Sequence, residues 1–260
     1  MVDGLDKNLN MSPATNHDYF LVDESNIAGE DLQITGDEAH HLRKVFRKAV
    51  GDEIWAVDGN GNAYEAVIRN ITEEAVSCDI RNIVHELNEP KIELTVGLGL
   101  LKASHLEETL NSCTQLGISS FIPLETSRSI KKFVNMNRLS SIAISAMKQS
   151  GRCRLPLLRD SIKFEDFISE SDSYDLKILA SMDKNVPSLS FLMNRINGSD
   201  INRALLIVGP EGDFTGEEID IAINAGFKAV SLGSRRLRSE TASTAAVSII
   251  MNHFEGVDKN

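Results

Sequence analysis

Two short segments near the end of the chain carry residue types from which a ligand pocket can be built. Residues 205–214 read Leu-Leu-Ile-Val-Gly-Pro-Glu-Gly-Asp-Phe, and residues 230–242 read Val-Ser-Leu-Gly-Ser-Arg-Arg-Leu-Arg-Ser-Glu-Thr-Ala. Each opens with a short apolar run of buried-strand type that stops at a glycine, Gly209 or Gly233. Each continues into a helix start: Thr215 ahead of Gly216-Glu217-Glu218, and Ser239-Glu240-Thr241 ahead of the apolar run 242–250. Two strand–glycine–loop–helix units place backbone N–H and C=O groups at the carboxyl ends of parallel strands, where open α/β sheets bind ligands. Glycine permits the close backbone approach that such binding needs. A tight turn alone would explain one Gly-Pro-x-Gly loop. A second loop carrying Arg235, Arg236, Arg238 and Glu240 points to a site, because arginine grips anions bidentately.

The elements that must position these loops fall into two groups. The first third is β-rich, with strands expected at 19–22, 52–57, 64–71 and 75–80 and a helix over 38–47 capped by Asp37. Asp58-Gly59-Asn60-Gly61 is a strong hairpin signal. Several short strands with turn signals suggest a small barrel. Residues 86–90, polar and ending in Pro90, form the natural boundary. Beyond it strands and helices alternate: a strand at 92–100, a helix capped by Ser104 running to Leu116 and stopped by Gly117, and a strand at 118–124. A helix follows from Asn137, then a strand at 175–181 and a helix opened by Val186-Pro187 running to Ile196. This alternation means a parallel sheet covered on both faces. Leu139, Ile142, Ala143, Ala146 and Met147 fall at helical spacing and read as core or subunit interface.

Composition narrows the function classes. At 260 residues, 42% hydrophobic and 25% charged, the chain suits a large domain plus a small one. No stretch reaches the roughly 18 uncharged apolar residues of a membrane span. Residues 1–17 lack the basic and apolar regions of a signal peptide and read as a disordered leader. Cys78, Cys113 and Cys153 are widely spaced without a CxxC pair, which supports neither a disulfide framework nor a metal site. A cytoplasmic protein is expected. The net charge of −11 opposes nucleic-acid binding taken whole, but the bases cluster. They gather at Arg43-Lys44-Arg47-Lys48, Arg128-Lys131-Lys132, Lys148-Arg152-Arg154-Arg159 and Arg235-Arg236-Arg238. Four clusters beside a cofactor-type loop suit a polyanionic substrate.

The paired motifs GPEGDF and LGSRRLRSETA resemble the signature of the RsmE family of 16S rRNA (uracil-N3)-methyltransferases, within the SPOUT class. The likeness continues through Glu38-Ala39-His40-His41-Leu42-Arg43-Lys44-Val45-Phe46-Arg47 with Gly51-Asp52-Glu53, through Gly99-Leu100-Leu101-Lys102 with Glu107 and Leu116-Gly117-Ile118, and through Pro123, Thr126-Ser127-Arg128-Ser129 and Gln149-Ser150-Gly151-Arg152 with Pro156. It runs in family order from about residue 19 to 254. The resemblance implies an α/β chain: a PUA-like RNA-binding β-barrel over 18–87 and a C-terminal SPOUT-type, trefoil-knotted parallel-sheet methyltransferase domain over 91–260. It implies S-adenosyl-L-methionine as cofactor, the 16S rRNA of the assembled small ribosomal subunit (decoding region, helix 44) as partner, and a homodimer, with no membrane and no metal.

The cofactor is then expected against Gly209, Pro210, Glu211, Gly212, Leu232, Gly233, Leu237 and Ser239, with Leu232 and Leu237 flanking adenine. Uracil N3–H is a weak acid, so its anion must be stabilised; Arg238 and Arg128 are the first candidates and Arg152 the next. Glu240 either accepts the proton or, preferably, orients an arginine and caps a helix. RNA contacts are expected from Arg43, Arg47, Lys102, Arg152 and Arg154. Ala245, Ala246, Ile249 and Ile250 suit an interface on the last helix. The chain departs from the family pattern at several positions. Asp213 replaces a usual glycine, Lys102-Ala103-Ser104-His105 stands for Lys-Gly-Asp-Arg, Asn111 and Gln115 stand for a lysine and a glutamate, and Ser239 stands for a threonine. A SPOUT enzyme with another RNA target and a non-catalytic RNA-binding protein are the other readings. Intact GPEG and LRSETA loops speak against the latter.

Overall fold

A computed structural model describes residues 18–129, 134–183, 185–196 and 198–256. The expected leader and the basic residues Lys131 and Lys132 lie outside them. The chain divides into two compact units, one formed by the described parts of Met1–Ala56 and Tyr64–Ile83, the other by Val57–Ala63 and Val84–Asn260. The expected boundary near residue 87 is thus refined, because the hairpin loop 57–63 belongs with the larger unit. There the Leu155 N–H donates to the Gly59 carbonyl and the Gly61 N–H to the Cys153 carbonyl.

The first unit is built around a sheet of six strands: β1 (Tyr19–Leu21), β2 (Ile27–Ala28), β3 (Asp31–Thr35), β4 (Glu53–Val57), β5 (Asn62–Ile71) and β6 (Ala75–His85). Their order is β1-β4-β5-β6-β3-β2. β3 escaped the sequence reading although Leu32 and Ile34 alternate into the core with exposed Asp31, Gln33 and Thr35. Helix α1 (Gly36–His40) starts two residues earlier than expected, with Thr35 rather than Asp37 at its N-cap. It widens into a π-turn over His41–Val45 and stops before Arg47, whose φ is +54°.

The second unit carries the strands β7 (Glu93–Gly99), β8 (Ser120–Glu125), β9 (Leu157–Leu158), β10 (Ile162–Lys163), β11 (Leu176–Ala180), β12 (Arg203–Val208) and β13 (Lys228–Val230). All pair in parallel, in the order β10-β8-β7-β12-β11-β13, with β9 also on β8. The helices are α2 (Ala103–Gln115), α3 (Met136–Ser150), α4 (Phe164–Ser169), α5 (Leu189–Met193), α6 (Gly216–Asn224) and α7 (Ser239–Gly256). β12 is buried on both faces, hence its unbroken apolar run. Ala204, Leu206 and Val208 join the core under α2, α3, α5 and α7. Leu205 and Ile207 point the other way, into the core under α4 and α6. The α3 stripe serves the core, with Leu139, Ala143, Ala146 and Met147 buried. On α7, Ala246 and Ile250 are fully buried in the same core, and Ile249 packs against it.

Arg152 corrects the sequence reading. Its guanidinium is buried against Glu89, with both side chains 3% exposed and Nη2–Oε2 at 2.6 Å. Nη1 donates to the carbonyls of Thr114, in the last turn of α2, and Ile118, just past its end. Glu89 also accepts the backbone N–H groups of Cys153 and Arg154. With its donors consumed internally, Arg152 cannot serve RNA or the uracil anion. Removing one partner of such a pair strands the other in the interior. Arg152→Ala should therefore cost about 3–5 kcal/mol, read as a lower urea midpoint; a loss below about 1 kcal/mol, the scale of an exposed pair, would contradict this placement.

Candidate active site

The strand order brings the carboxyl ends of β7, β12, β11 and β13 side by side, and a cavity of about 840 Å³ opens there. One wall is the loop after β12, with Gly209, Pro210, Glu211 and Asp213. The facing wall is the loop after β13, residues 232–238, leading into Ser239 and Ala242 of α7. Ala180, Ser181 and Met182, at the end of β11, supply a third wall, and Lys102 and His105 a fourth.

Buried polar ties hold these loops. The Ser239 hydroxyl donates to the Gly209 carbonyl at 2.8 Å, joining the two long loops directly. Gly209 leaves no room for a side chain: a Cβ there would lie 3.0 Å from the Phe214 nitrogen and 2.9 Å from Asp213 Oδ1. Gly233 adopts φ +118°, which L side chains avoid. Behind the first loop, Thr215 caps α6 through a capping box with Glu218, as the sequence suggested. The buried Glu218 carboxylate also accepts the Ser127 N–H at 2.7 Å, anchoring the turn after β8. Arg128 in that turn donates to the carbonyls of Gly212 and Phe214, at 2.8 and 3.3 Å.

The expected site residues divide accordingly. Gly209, Pro210, Glu211, Leu232, Gly233, Leu237 and Ser239 line the cavity, with Arg238 beside them. Gly212 and Arg128 do not; they form the latch behind the loop. Lys102, expected as an RNA contact, lines the cavity. Arg238 is 78% exposed, and its Nη1 lies 3.9 Å from Oε1 of Glu240, whose side chain is only 10% exposed. Glu240 Oε2 is buried with no hydrogen-bond partner. Arg154 is exposed but already engaged by Glu86, whose hydrogen bond raises the guanidinium pKa. In the first unit Arg47 is exposed, whereas Arg43 donates to the carbonyls of Ala39 and Thr72.

Sequence reasoning missed Ala180–Met182 and His105 because only strand order and the start of α2 bring them to the cavity. The His105 Nδ1 is buried, lies 3.4 Å from Glu211 Oε1 and has no hydrogen-bond partner. Burial pushes the thiols of Cys78, Cys113 and Cys153 up to about 12, away from the reactive thiolate. Among the described residues no cluster of His, Cys, Asp or Glu is arranged to hold a metal, and no helix is long and apolar enough to cross a membrane.

Residues 88–251 match the family described as an RNA methyltransferase domain, and residues 34–81 the one described as an RNA methyltransferase PUA domain. The chain is 32% identical over 234 residues to the ribosomal RNA small subunit methyltransferase E of Rickettsia conorii, a match covering 87% of this chain and 93% of the relative. The chain belongs to the ribosomal RNA small subunit methyltransferase E family. A second member, from Synechocystis sp., is 32% identical over 222 residues, covering 84% of this chain and 72% of its own. The crystal structure of the Neisseria gonorrhoeae member of this methyltransferase E family, bound to S-adenosyl methionine, superposes with a TM-score of 0.81 at 26% identity, covering 91% of this chain and 98% of that one. A probable rRNA-methyltransferase from Porphyromonas gingivalis gives 0.78 at 28%, with 92% and 99% covered.

Asp213 takes the left-handed conformation, φ +60°, that glycine adopts freely. Its Oδ1 accepts the Phe214 N–H at 2.9 Å, and its own N–H closes a turn onto the Pro210 carbonyl. Aspartate tolerates this conformation through such local bonding. Asp213→Gly should change stability by no more than about 0.5 kcal/mol, whereas Asp213→Ala, keeping the strain and losing the bond, should cost about 1–2 kcal/mol. Thermal unfolding of both variants checks the ordering.

Proposed function

We propose that this chain methylates the N3 atom of a uridine in 16S rRNA, in the decoding region at helix 44 of the assembled small ribosomal subunit, with S-adenosyl-L-methionine as methyl donor. The observation that carries the reading is the backbone-lined cavity at adjacent strand ends with Arg235, Arg236 and Arg238 on one wall. The residues fit that cofactor. The cavity is of the size that encloses a small ligand. Main chain of both long loops offers polar partners, and Leu232, Leu237 and Ala242 offer apolar surface for a purine. When bound, S-adenosylmethionine supplies an electrophilic methyl on a sulfonium centre, and its departure leaves a thioether with no base to take a proton.

The chain's own residues must therefore do three things. They hold the flipped uracil against the cavity, stabilise the N3 anion, and accept its proton. Arg238 suits the second task, because an exposed guanidinium at the cavity wall meets charge that develops only as N3–H ionises. Arg47 and Lys44, exposed on the first unit, suit phosphate contacts, which position RNA without reading its sequence. The last helix, with Ala245 and Ile249 only half-buried, suits the surface of a homodimer.

Mass spectrometry of ribosomal RNA from a deletion strain tests the reading: N3-methyluridine should vanish from 16S rRNA and return with the wild-type chain. A lost methyl at another RNA position would favour a different target for the same cavity. In purified protein, Arg238→Ala should slow turnover about 10²–10³-fold with little change in subunit binding. Arg47→Ala should weaken subunit binding and lower the salt slope by about one without slowing turnover at saturation. Wild-type turnover at saturation in the Arg238 variant would remove it from the chemistry.

A further inference from the structure

The geometry points to His105 as the proton acceptor for uracil N3–H, held in its working tautomer by Glu211. This rests on the uridine-N3 reading and concerns this chain in particular, since His105 stands where the family pattern has an arginine. The titratable and charged groups lining the cavity come from three elements: Lys102 and His105 at the start of α2, Glu211 and Asp213 after β12, and Arg235, Arg236 and Arg238 after β13. Arginine stays protonated at any working pH, and an ordinary lysine does so at neutral pH. Asp213 spends Oδ1 on the Phe214 N–H. A carboxylate is also a weak acceptor for a proton as tightly held as that of an N–H, whereas imidazole changes charge near neutrality.

The surroundings of the ring support the assignment. Nδ1 is buried, has no hydrogen-bond partner and lies 3.4 Å from Glu211 Oε1. A proton on Nδ1 faces the carboxylate, which leaves the Nε2 lone pair as the acceptor. The pair is within reach but poorly aligned, as catalytic hydrogen bonds often are before substrate binds. The side chain as a whole is 25% exposed, and His105 lines the cavity. In the step, the N3–H bond breaks with its proton passing to Nε2. The electron pair stays on N3 and forms the new bond to the methyl carbon as the methyl–sulfur bond breaks, its pair returning to the sulfur, which leaves as a neutral thioether. Glu211 balances the imidazolium. Glu240 does not line the cavity and is left to its contact with Arg238.

The experiment uses unmethylated small subunits of two kinds, ordinary ones and ones from cells fed 5-fluorouracil, whose 5-fluorouridine carries a more acidic N3–H. Single-turnover rates at saturation are measured from about pH 6 to 9 for wild type, His105→Ala, His105→Gln and Glu211→Gln, with cofactor affinity by calorimetry. Both His105 variants should lose at least about 10² in rate, with cofactor affinity within about threefold of wild type. Their rates should rise with pH where the wild type levels off. The loss should shrink at least tenfold on the fluorinated subunits, because a more acidic substrate needs less help. Glu211→Gln should fall between. Equal losses on both substrates, cofactor affinity falling in step with rate, or a wild-type rate in either His105 variant would overturn the assignment. If the wild-type protein leaves N3 of the uridine unmethylated, it is the proposed function that fails.

Discussion

A single buried hydrogen bond, from the Ser239 hydroxyl to the Gly209 carbonyl, fixes the two loops from which the cavity is made. Its existence depends on the sheet. β12 and β13 both flank β11, so their carboxyl ends emerge one strand apart and on the same edge. β12 can occupy that central place because it is apolar on both faces and feeds two separate cores. The bond closes a structure that burial has already aligned, and Ser239 supplies the hydroxyl at the first residue of α7.

Around that tie the polar groups sort by burial. Those sealed inside are consumed in holding loops: Glu218 takes N–H groups from two turns, and Glu89 with Arg152 pins the segment following α3. Those left open at the cavity, Lys102, His105, Glu211 and Arg238, remain available to a substrate. A charged group already committed to internal partners is costly to withdraw, so chemistry falls to the groups that folding leaves unspent.

The same distinction decides what was legible in the residues alone. Glycine-stopped apolar runs, hydroxyl caps and Asn-Gly turns are local signals, and they located both loops, the Thr215 cap and the hairpin at Asp58-Gly59-Asn60-Gly61. The expected Ser104 cap fails, because α2 already starts at Ala103 with Lys102 at its N-cap. Arg152 was misread because its partner Glu89 lies 63 residues away in sequence, and nothing local separates a buried arginine from a surface one. The β11 wall was invisible for a related reason: the strand was legible, but its place between β12 and β13 is a property of the whole sheet. β3 is a five-residue strand whose period-two pattern was overlooked. His105 lies in a helical turn that looks unremarkable until the turn meets Glu211.

The proposed S-adenosylmethionine pocket rests above all on the main chain at Gly209. Titration calorimetry of Gly209→Val tests it most directly, since a Cβ at this position meets the Phe214 nitrogen and the Asp213 carboxylate. S-adenosylmethionine binding should become undetectable while circular dichroism and cooperative unfolding show an intact fold. Wild-type affinity in a folded Gly209→Val protein would place the cofactor elsewhere.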